Sequence, residues 1–477
     1  MALGLAYTAR LLTLATAYKA KLLCSGVFVS ERDPQDVIST DLAVDSLAPL
    51  KAVRATVDRE KQLVRASLFG GLSLGASLRW GDRAISDPSV RTALYRPGLG
   101  STLVLGTTIG ELRQQSQAFD AWRQHNPRRH QSLLAADTLP PELDAARLTK
   151  ALENAFTERN PARLKRTRAV VVVYKGRIIA ERYAPGFSAT TPMLGWSMAK
   201  SVINALIGIL VQQGKLSLTS DHLLAEWRSP TDPRRHITLD QLLRMSSGLQ
   251  FSEIYSSPLS DATTMLFQKG DNARYAAALP LVAPPDTQFS YASGTTILLC
   301  RILKEAIGKE AISKDLTDYF SFPQRALFDP LGMASAVLEP DAAGTFTGSS
   351  FMYATARDWV KLGLLYLQDG CWDVNGQHTR LLPSGWVNYT TQPNKTTPYY
   401  GAHFWQGVPL SFTDKKPADY ISTWPKGAYL ASGYQGQMMT IIPSHQLVVV
   451  RLGLSQRRYS WDQEQFIDTV MSAFRSR

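Results

Sequence analysis

The chain has 477 residues, of which 44% are apolar, 19% charged and 9% aromatic, and its formal charge is +12. This composition excludes a disordered chain and provides apolar surface for a substantial core divided over two or three structural units. The basic residues are scattered, with local clusters at Arg128-Arg129-His130 and Lys165-Arg166-Thr167-Arg168 read as solvated faces. Without a zinc-finger or basic-zipper pattern beside them, no nucleic-acid partner is expected.

Residues 1–29 are mostly apolar, but Arg10, Lys19 and Lys21 interrupt the run, so no clean stretch of roughly 20 apolar residues is left for a spanning helix. Two readings stand side by side. An amphipathic helix could make membrane surface contact through residues 1–29, its cations at headgroup level, with the rest of the chain in the bacterial periplasm. Alternatively the helix packs on the protein's own domain, and a cytoplasmic location is then equally compatible.

Residues 30–138 read as a small β-rich N-terminal unit and linker. Alternation at Val53-Arg54-Ala55-Thr56-Val57 and Val64-Arg65-Ala66-Ser67-Leu68 predicts strands, and the polar, proline-containing stretch 125–141 is linker in composition. The main boundary falls near residue 138. Residues 139–477 begin with a helix over 142–158 and a hairpin of strands 169–174 and 178–183 turning at Lys175-Gly176-Arg177. Strands are predicted again at 428–431, 437–442 and 447–454, followed by a helix over 463–474. The fold class is therefore α/β (α+β): both ends build one antiparallel sheet flanked by terminal helices, with a helical region at about 201–367 inserted between them.

The three cysteines, Cys24, Cys300 and Cys371, form no C-x-x-C pair, and the seven histidines form no H-E-x-x-H. A single disulfide stays open, while no metal and no cofactor are expected. Chemistry is carried instead by Gly195-Trp196-Ser197-Met198-Ala199-Lys200, which opens a strongly helical run. A serine and a lysine three apart share one helix face, so a desolvated amine can reach the hydroxyl and take its proton. Alone the spacing is weak, since about one or two such pairs arise by chance in a chain of this length and composition. An N-cap serine with a surface lysine is the plain alternative.

The second element is Pro285-Asp286-Thr287-Gln288-Phe289-Ser290-Tyr291-Ala292-Ser293, which resembles the Pro-Gly-x-x-Phe-x-Tyr-Ser-Asn segment of class C β-lactamases, D-alanyl-D-alanine peptidases and their esterase relatives. Leu242-Leu243-Arg244-Met245-Ser246-Ser247-Gly248-Leu249 and Phe328-Asp329-Pro330-Leu331-Gly332-Met333 resemble further family segments in the same order. Thr355, in Tyr353-Ala354-Thr355-Ala356-Arg357-Asp358, reads as a helix N-cap.

Over residues 140–477 the chain is thus similar to the serine β-lactamase-like and penicillin-binding-protein-like superfamily, and most similar to its 6-aminohexanoate-dimer hydrolase and carboxylesterase branch. The resemblance implies a β-lactamase/transpeptidase-like fold, with Ser197 as nucleophile, Lys200 as general base or pKa-tuning group, and Tyr291 as general acid/base. It places Ala431-Ser432-Gly433-Tyr434 where the family has Lys-Thr-Gly, so Gly433 admits the substrate and the Tyr434 N–H joins that of Ser197 in an oxyanion hole. Ser293, standing where the family often has asparagine, and Tyr255, the nearest match to a loop tyrosine that contacts substrate, are expected to bind substrate. Trp405 could wall the pocket, and core packing explains it equally.

Because Ala431 replaces the family's carboxylate-binding cation, a small-molecule ester or amide is the expected substrate. A β-lactamase or D-alanyl-D-alanine carboxypeptidase is the enzymatic alternative. A non-catalytic, membrane-associated binding protein of the same fold is the alternative of a different class. The sequence does not read the oligomeric state or the role of residues 1–138.

Overall fold

The structure is a computed structural model that describes residues 2–68, 79–80, 83–84, 90–308, 315–407, 424–457 and 460–475. Its centre is a five-stranded antiparallel sheet made from both ends of the C-terminal two-thirds of the chain. Strands β5 (Thr167–Tyr174) and β6 (Arg177–Tyr183) form the expected hairpin, while β7 (Tyr429–Gly433), β8 (Gln437–Ile442) and β9 (Leu447–Gly453) return to join it in the order β7-β8-β9-β5-β6. Register is fixed by pairs such as Ala431 with Met439, Met439 with Val450, and Val450 with Val171.

Alternation along these strands feeds two cores. Val170, Val172, Met438 and Val449 face α3 (Ala145–Phe156) and α7 (Gln463–Met471), burying Leu148, Leu152, Phe466, Ile467 and Val470. Val171, Val173, Met439 and Val450 face the opposite way, toward α4 (Ala199–Gln212), α5 (Ser293–Gly308) and α6 (Ala356–Leu367). The strands read as nearly continuous Val/Ile runs because both faces are covered. The predicted α/β architecture, with terminal helices on one face and an inserted helical region on the other, is the one observed. Helix α6 begins at Thr355, whose Oγ1 accepts from the Asp358 N–H at 3.1 Å, as its sequence predicts.

The N-terminal strands β1 (Arg54–Asp58), β2 (Leu63–Ser67), β3 (Val90–Arg96) and β4 (Gly100–Leu103) pair in chain order as an antiparallel sheet. Helix α2 (Ile109–His125) follows, started by a capping box between Thr108 and Glu111. The first helix, α1 (Ala2–Phe28), lies against this sheet. Its segment Arg10–Phe28 is long and apolar enough by composition to cross a membrane, yet more than half of it is buried in the fold. Ala17, Ala20, Leu23, Cys24 and Val27 belong to the same continuous core as α4 and α6.

Lys19 and Lys21 are each only 3% exposed and point into the protein. Lys19 donates to the carbonyls of Leu50 and Val53; Lys21 donates to the Ser101 carbonyl and pairs with Glu339. These two cations therefore serve intrachain packing, while Tyr7, Arg10 and Leu11 stay exposed.

One arginine of each basic cluster departs from the expectation of a solvated face, while Arg129 and His130 are exposed as expected. Arg168 is ion-paired with Asp41, beside Arg32, and both guanidiniums lie over the Phe187 ring. Arg128 donates to the Ala336 carbonyl across the linker. Each fastens an N-terminal segment onto the sheet domain, a tertiary role that local composition does not encode. Cys24, Cys300 and Cys371 are all buried free thiols.

Candidate active site

Gly195 packs directly on the Trp359 indole, and Trp196 follows with φ +47°, a left-handed conformation that costs a bulky residue about 1–3 kcal/mol. The conformation is held by burial of the indole and by its N–H, which donates to Gln435 Oε1 at 3.2 Å. This sharp turn delivers Ser197 to the head of α4, with 9% of its surface accessible. Lys200, one turn further on, is 1% exposed.

Lys200 Nζ has three neighbours at hydrogen-bond distance: Ser197 Oγ at 3.1 Å, Ser293 Oγ at 3.0 Å and the Ser349 carbonyl at 3.0 Å. It also lies 4.9 Å from the centre of the Tyr291 ring. Burial lowers its pKa to about 8, against opposing influences from Glu253 and Cys300. Burial and the Glu253 carboxylate push the Tyr291 phenol the other way, well above its ordinary value, while its contact with Ser197 pulls it back in part. As pH rises, the amine loses its proton before the phenol does.

Strand β7 closes the other side. A Cβ at Gly433 would strike the Gly195 carbonyl and stand 3.2 Å from the Ser197 nitrogen, so only glycine lets β7 approach the serine's backbone this closely. Ala431, two residues earlier on the same face, is buried. The Tyr434 ring stacks on Tyr255 with centroids 4.8 Å apart and 14° between planes, and both rings meet the Trp196 edge. Trp405 lies 5.3 Å from the Tyr291 ring and joins Tyr400 and Phe289 in one aromatic cluster, while its backbone exchanges two hydrogen bonds with Leu430 on β7.

Ser197, Lys200, Tyr291, Ser293, Gly433 and Tyr434, separated by up to 237 positions in sequence, thus converge around one point. Tyr255 lies beside it through its stacking on Tyr434, and Trp405 through its contact with Tyr291. Sequence reasoning missed two participants. Glu253, which stands in the same short segment as Tyr255, accepts from the Ser293 N–H at 2.7 Å, the Ser293 hydroxyl at 2.6 Å and the Tyr255 hydroxyl at 3.2 Å. An acidic residue two positions from a candidate site tyrosine was the available signal. The Ser349 carbonyl is main chain, and no side-chain motif announces it.

Among the described residues, one group with metal-binding donors, Asp221, His222 and His236, lies elsewhere on the surface. His222 Nδ1 stands 2.7 Å from Asp221, and His222 Nε2 accepts from Arg235 at 3.0 Å.

A buried serine–lysine pair at a helix head, beside an antiparallel sheet between two helical layers, defines a serine-hydrolase-type architecture. The chain belongs to the Beta-lactamase family, which matches residues 153–465. It is 22% identical over 338 residues to an uncharacterized protein of Alkalihalophilus pseudofirmus, covering 65% of this chain and 91% of that one. A structure assigned as a β-lactamase of Bacteroides dorei DSM 17855 superposes with a TM-score of 0.50 at 17% identity, over 69% of this chain and 97% of that one, and shares the fold. A structure assigned as a 6-aminohexanoate-dimer hydrolase of Bacillus anthracis gives a TM-score of 0.49 at 19% identity, over 72% of this chain and 86% of that one.

Proposed function

We propose that this β-lactamase-family hydrolase cleaves a small-molecule ester or amide through an acyl-enzyme on Ser197. The observation that carries the reading is the Lys200 amine, enclosed, lowered to about 8 and 3.1 Å from Ser197 Oγ. Neutral Lys200 takes the hydroxyl proton as Ser197 Oγ bonds to the substrate carbonyl carbon. The resulting oxyanion is held by the Ser197 N–H at the head of α4, where the helix dipole adds a favourable field, and by the Tyr434 N–H just past the end of β7.

Tyr291, still protonated, gives its proton to the leaving alcohol or amine as the carbonyl re-forms, and recovers one from the Lys200 ammonium. Water then reverses the sequence, releasing the acid and free Ser197. Ala431, in place of a cation, favours substrates without a carboxylate beside the scissile bond, in contrast to β-lactams.

The test combines fluorophosphonate labelling with mass mapping and turnover of p-nitrophenyl esters and anilides. An adduct on Ser197 with turnover is expected; folded protein that neither labels nor turns over would end the hydrolase reading. Turnover of a chromogenic cephalosporin in preference to esters would replace the substrate class.

A further inference from the structure

We propose that Glu253 is a positioning residue for the acylation step: by accepting the hydrogen bond of the Ser293 hydroxyl it leaves only the Lys200 lone pair to face Ser197. The inference rests on the Ser197 and Lys200 roles proposed above. A serine hydroxyl has one proton, and Ser293 donates its own to Glu253 Oε1 at 2.6 Å. Toward Lys200, 3.0 Å away, Ser293 can then only accept. The Ser349 carbonyl, also 3.0 Å from Lys200, can only accept as well.

A neutral amine carries two protons and one lone pair. With both protons directed at acceptors that have nothing to donate, the lone pair is left for the third neighbour, the Ser197 hydroxyl at 3.1 Å. The network thus selects the one orientation in which Lys200 is a base toward Ser197. Glu253 holds it from two sides, because its second oxygen accepts from the Ser293 N–H at 2.7 Å and so fixes the start of α5. Tyr255 donates to the same carboxylate at 3.2 Å.

The carboxylate also acts on the charge of Lys200. The titratable groups facing the amine are Glu253 and Tyr255 from the loop, Tyr291 and Cys300 from the segment leading into and along α5, and His403. Cys300 is pushed up to about 12, Tyr291 and Tyr255 are raised, and His403 is lowered to about 3, so these four are neutral near pH 7. Glu253 favours the protonated amine. Its removal therefore pulls two observables in opposite directions: the amine deprotonates at lower pH, yet it is no longer aimed.

In Glu253→Gln the side-chain NH2 can turn toward Ser293 Oγ and send the serine proton to Lys200, capturing the lone pair meant for Ser197. In Ser293→Asn the amide NH2 still donates to Glu253 while its carbonyl accepts from Lys200, which preserves the polarity. Ser293→Ala preserves neither.

The experiment is the pH dependence of the second-order rate of fluorophosphonate labelling, in which the Ser197 oxygen–phosphorus bond forms, fluoride leaves and the serine proton passes to the amine. Glu253→Gln is expected to lower the plateau about ten-fold or more while moving the acidic limb to lower pH, the size expected for a lost hydrogen bond to a charged group. Ser293→Ala should lower the plateau similarly, Ser293→Asn should recover most of the rate that Ser293→Ala loses, and Glu253→Gln should add little in the Ser293→Ala background.

An unchanged limb and plateau in Glu253→Gln overturns the proposal, as does Ser293→Asn labelling as slowly as Ser293→Ala. If Glu253→Gln does not fold by circular dichroism, the Ser293 pair decides alone. A wild type that does not label removes the Ser197 reading and this inference with it, whereas a labelling wild type with indifferent variants removes the inference only.

Discussion

Lys200 Nζ stands 3.1 Å from Ser197 Oγ within a site where neither side chain is more than 9% exposed. Burial that lowers the amine's pKa to about 8 makes the neutral form accessible close to physiological pH, whereas an exposed lysine would need a pH above 10. Proximity follows from the three-residue spacing on one helix face, and desolvation from the cover that Ser293, Ser349 and Tyr291 place over the amine.

A pH dependence follows directly. The reactive form is the neutral amine, so the acylation rate should climb as pH rises through about 8 and fall about tenfold per unit below it. Stability supplies an independent check. The unfolded chain holds this proton to about 10.5 while the folded chain releases it near 8, so the unfolded state binds more protons between those values. Stability from this group should therefore rise with pH across that window, and Lys200→Met should flatten the rise in urea titrations. A rate profile without a limb near 8 would take the base role from Lys200.

A substitution on β7 tests the backbone half of the site. Gly433→Ala places a Cβ against the Gly195 carbonyl and the Ser197 nitrogen, forcing the strand away from the serine. Losing one oxyanion donor lowers kcat about 10²–10³-fold, so kcat for p-nitrophenyl acetate should drop by that order with KM changed much less. Equal loss in KM would mean that the strand contacts substrate and not the developing charge.

Much of this was legible in the sequence, for physical reasons that differ by element. The strands at 169–174 and 447–453 announced themselves because double-sided burial selects unbroken Val/Ile runs, and Thr355 because capping chemistry is local. The separation of Ser197 and Lys200 by three positions is likewise a helical-face signal. Glu253 was marked only by its nearness to Tyr255 and the Ser349 carbonyl by nothing, since their place in the site is set by how loops fold over α4 and α5. For the same reason Lys19, Lys21 and Arg168 looked like solvent or headgroup cations: only the tertiary fold supplies Glu339, Asp41 and the carbonyls that receive them.

The Lys21–Glu339 pair gives the last prediction. Glu339 accepts from Lys21, from Ser25 Oγ at 2.8 Å and from the Ser101 N–H at 2.7 Å, which ties α1, β4 and the loop before 352 into one buried network. Removing one partner strands the other charge in the interior, which costs about 3–5 kcal/mol, whereas replacing both by apolar side chains is often near neutral. Lys21→Met alone should therefore lower the stability of the whole chain by that amount in urea unfolding. Lys21→Met with Glu339→Leu should recover a large part of it, less the bonds to Ser25 and Ser101. If α1 instead behaved as an independent appendage, Lys21→Met would leave the main unfolding transition where it was and only the helix signal would melt early. Coincident loss of helix, of Trp fluorescence and of fluorophosphonate labelling along one curve is the outcome expected from a core shared by α1, α4 and α6.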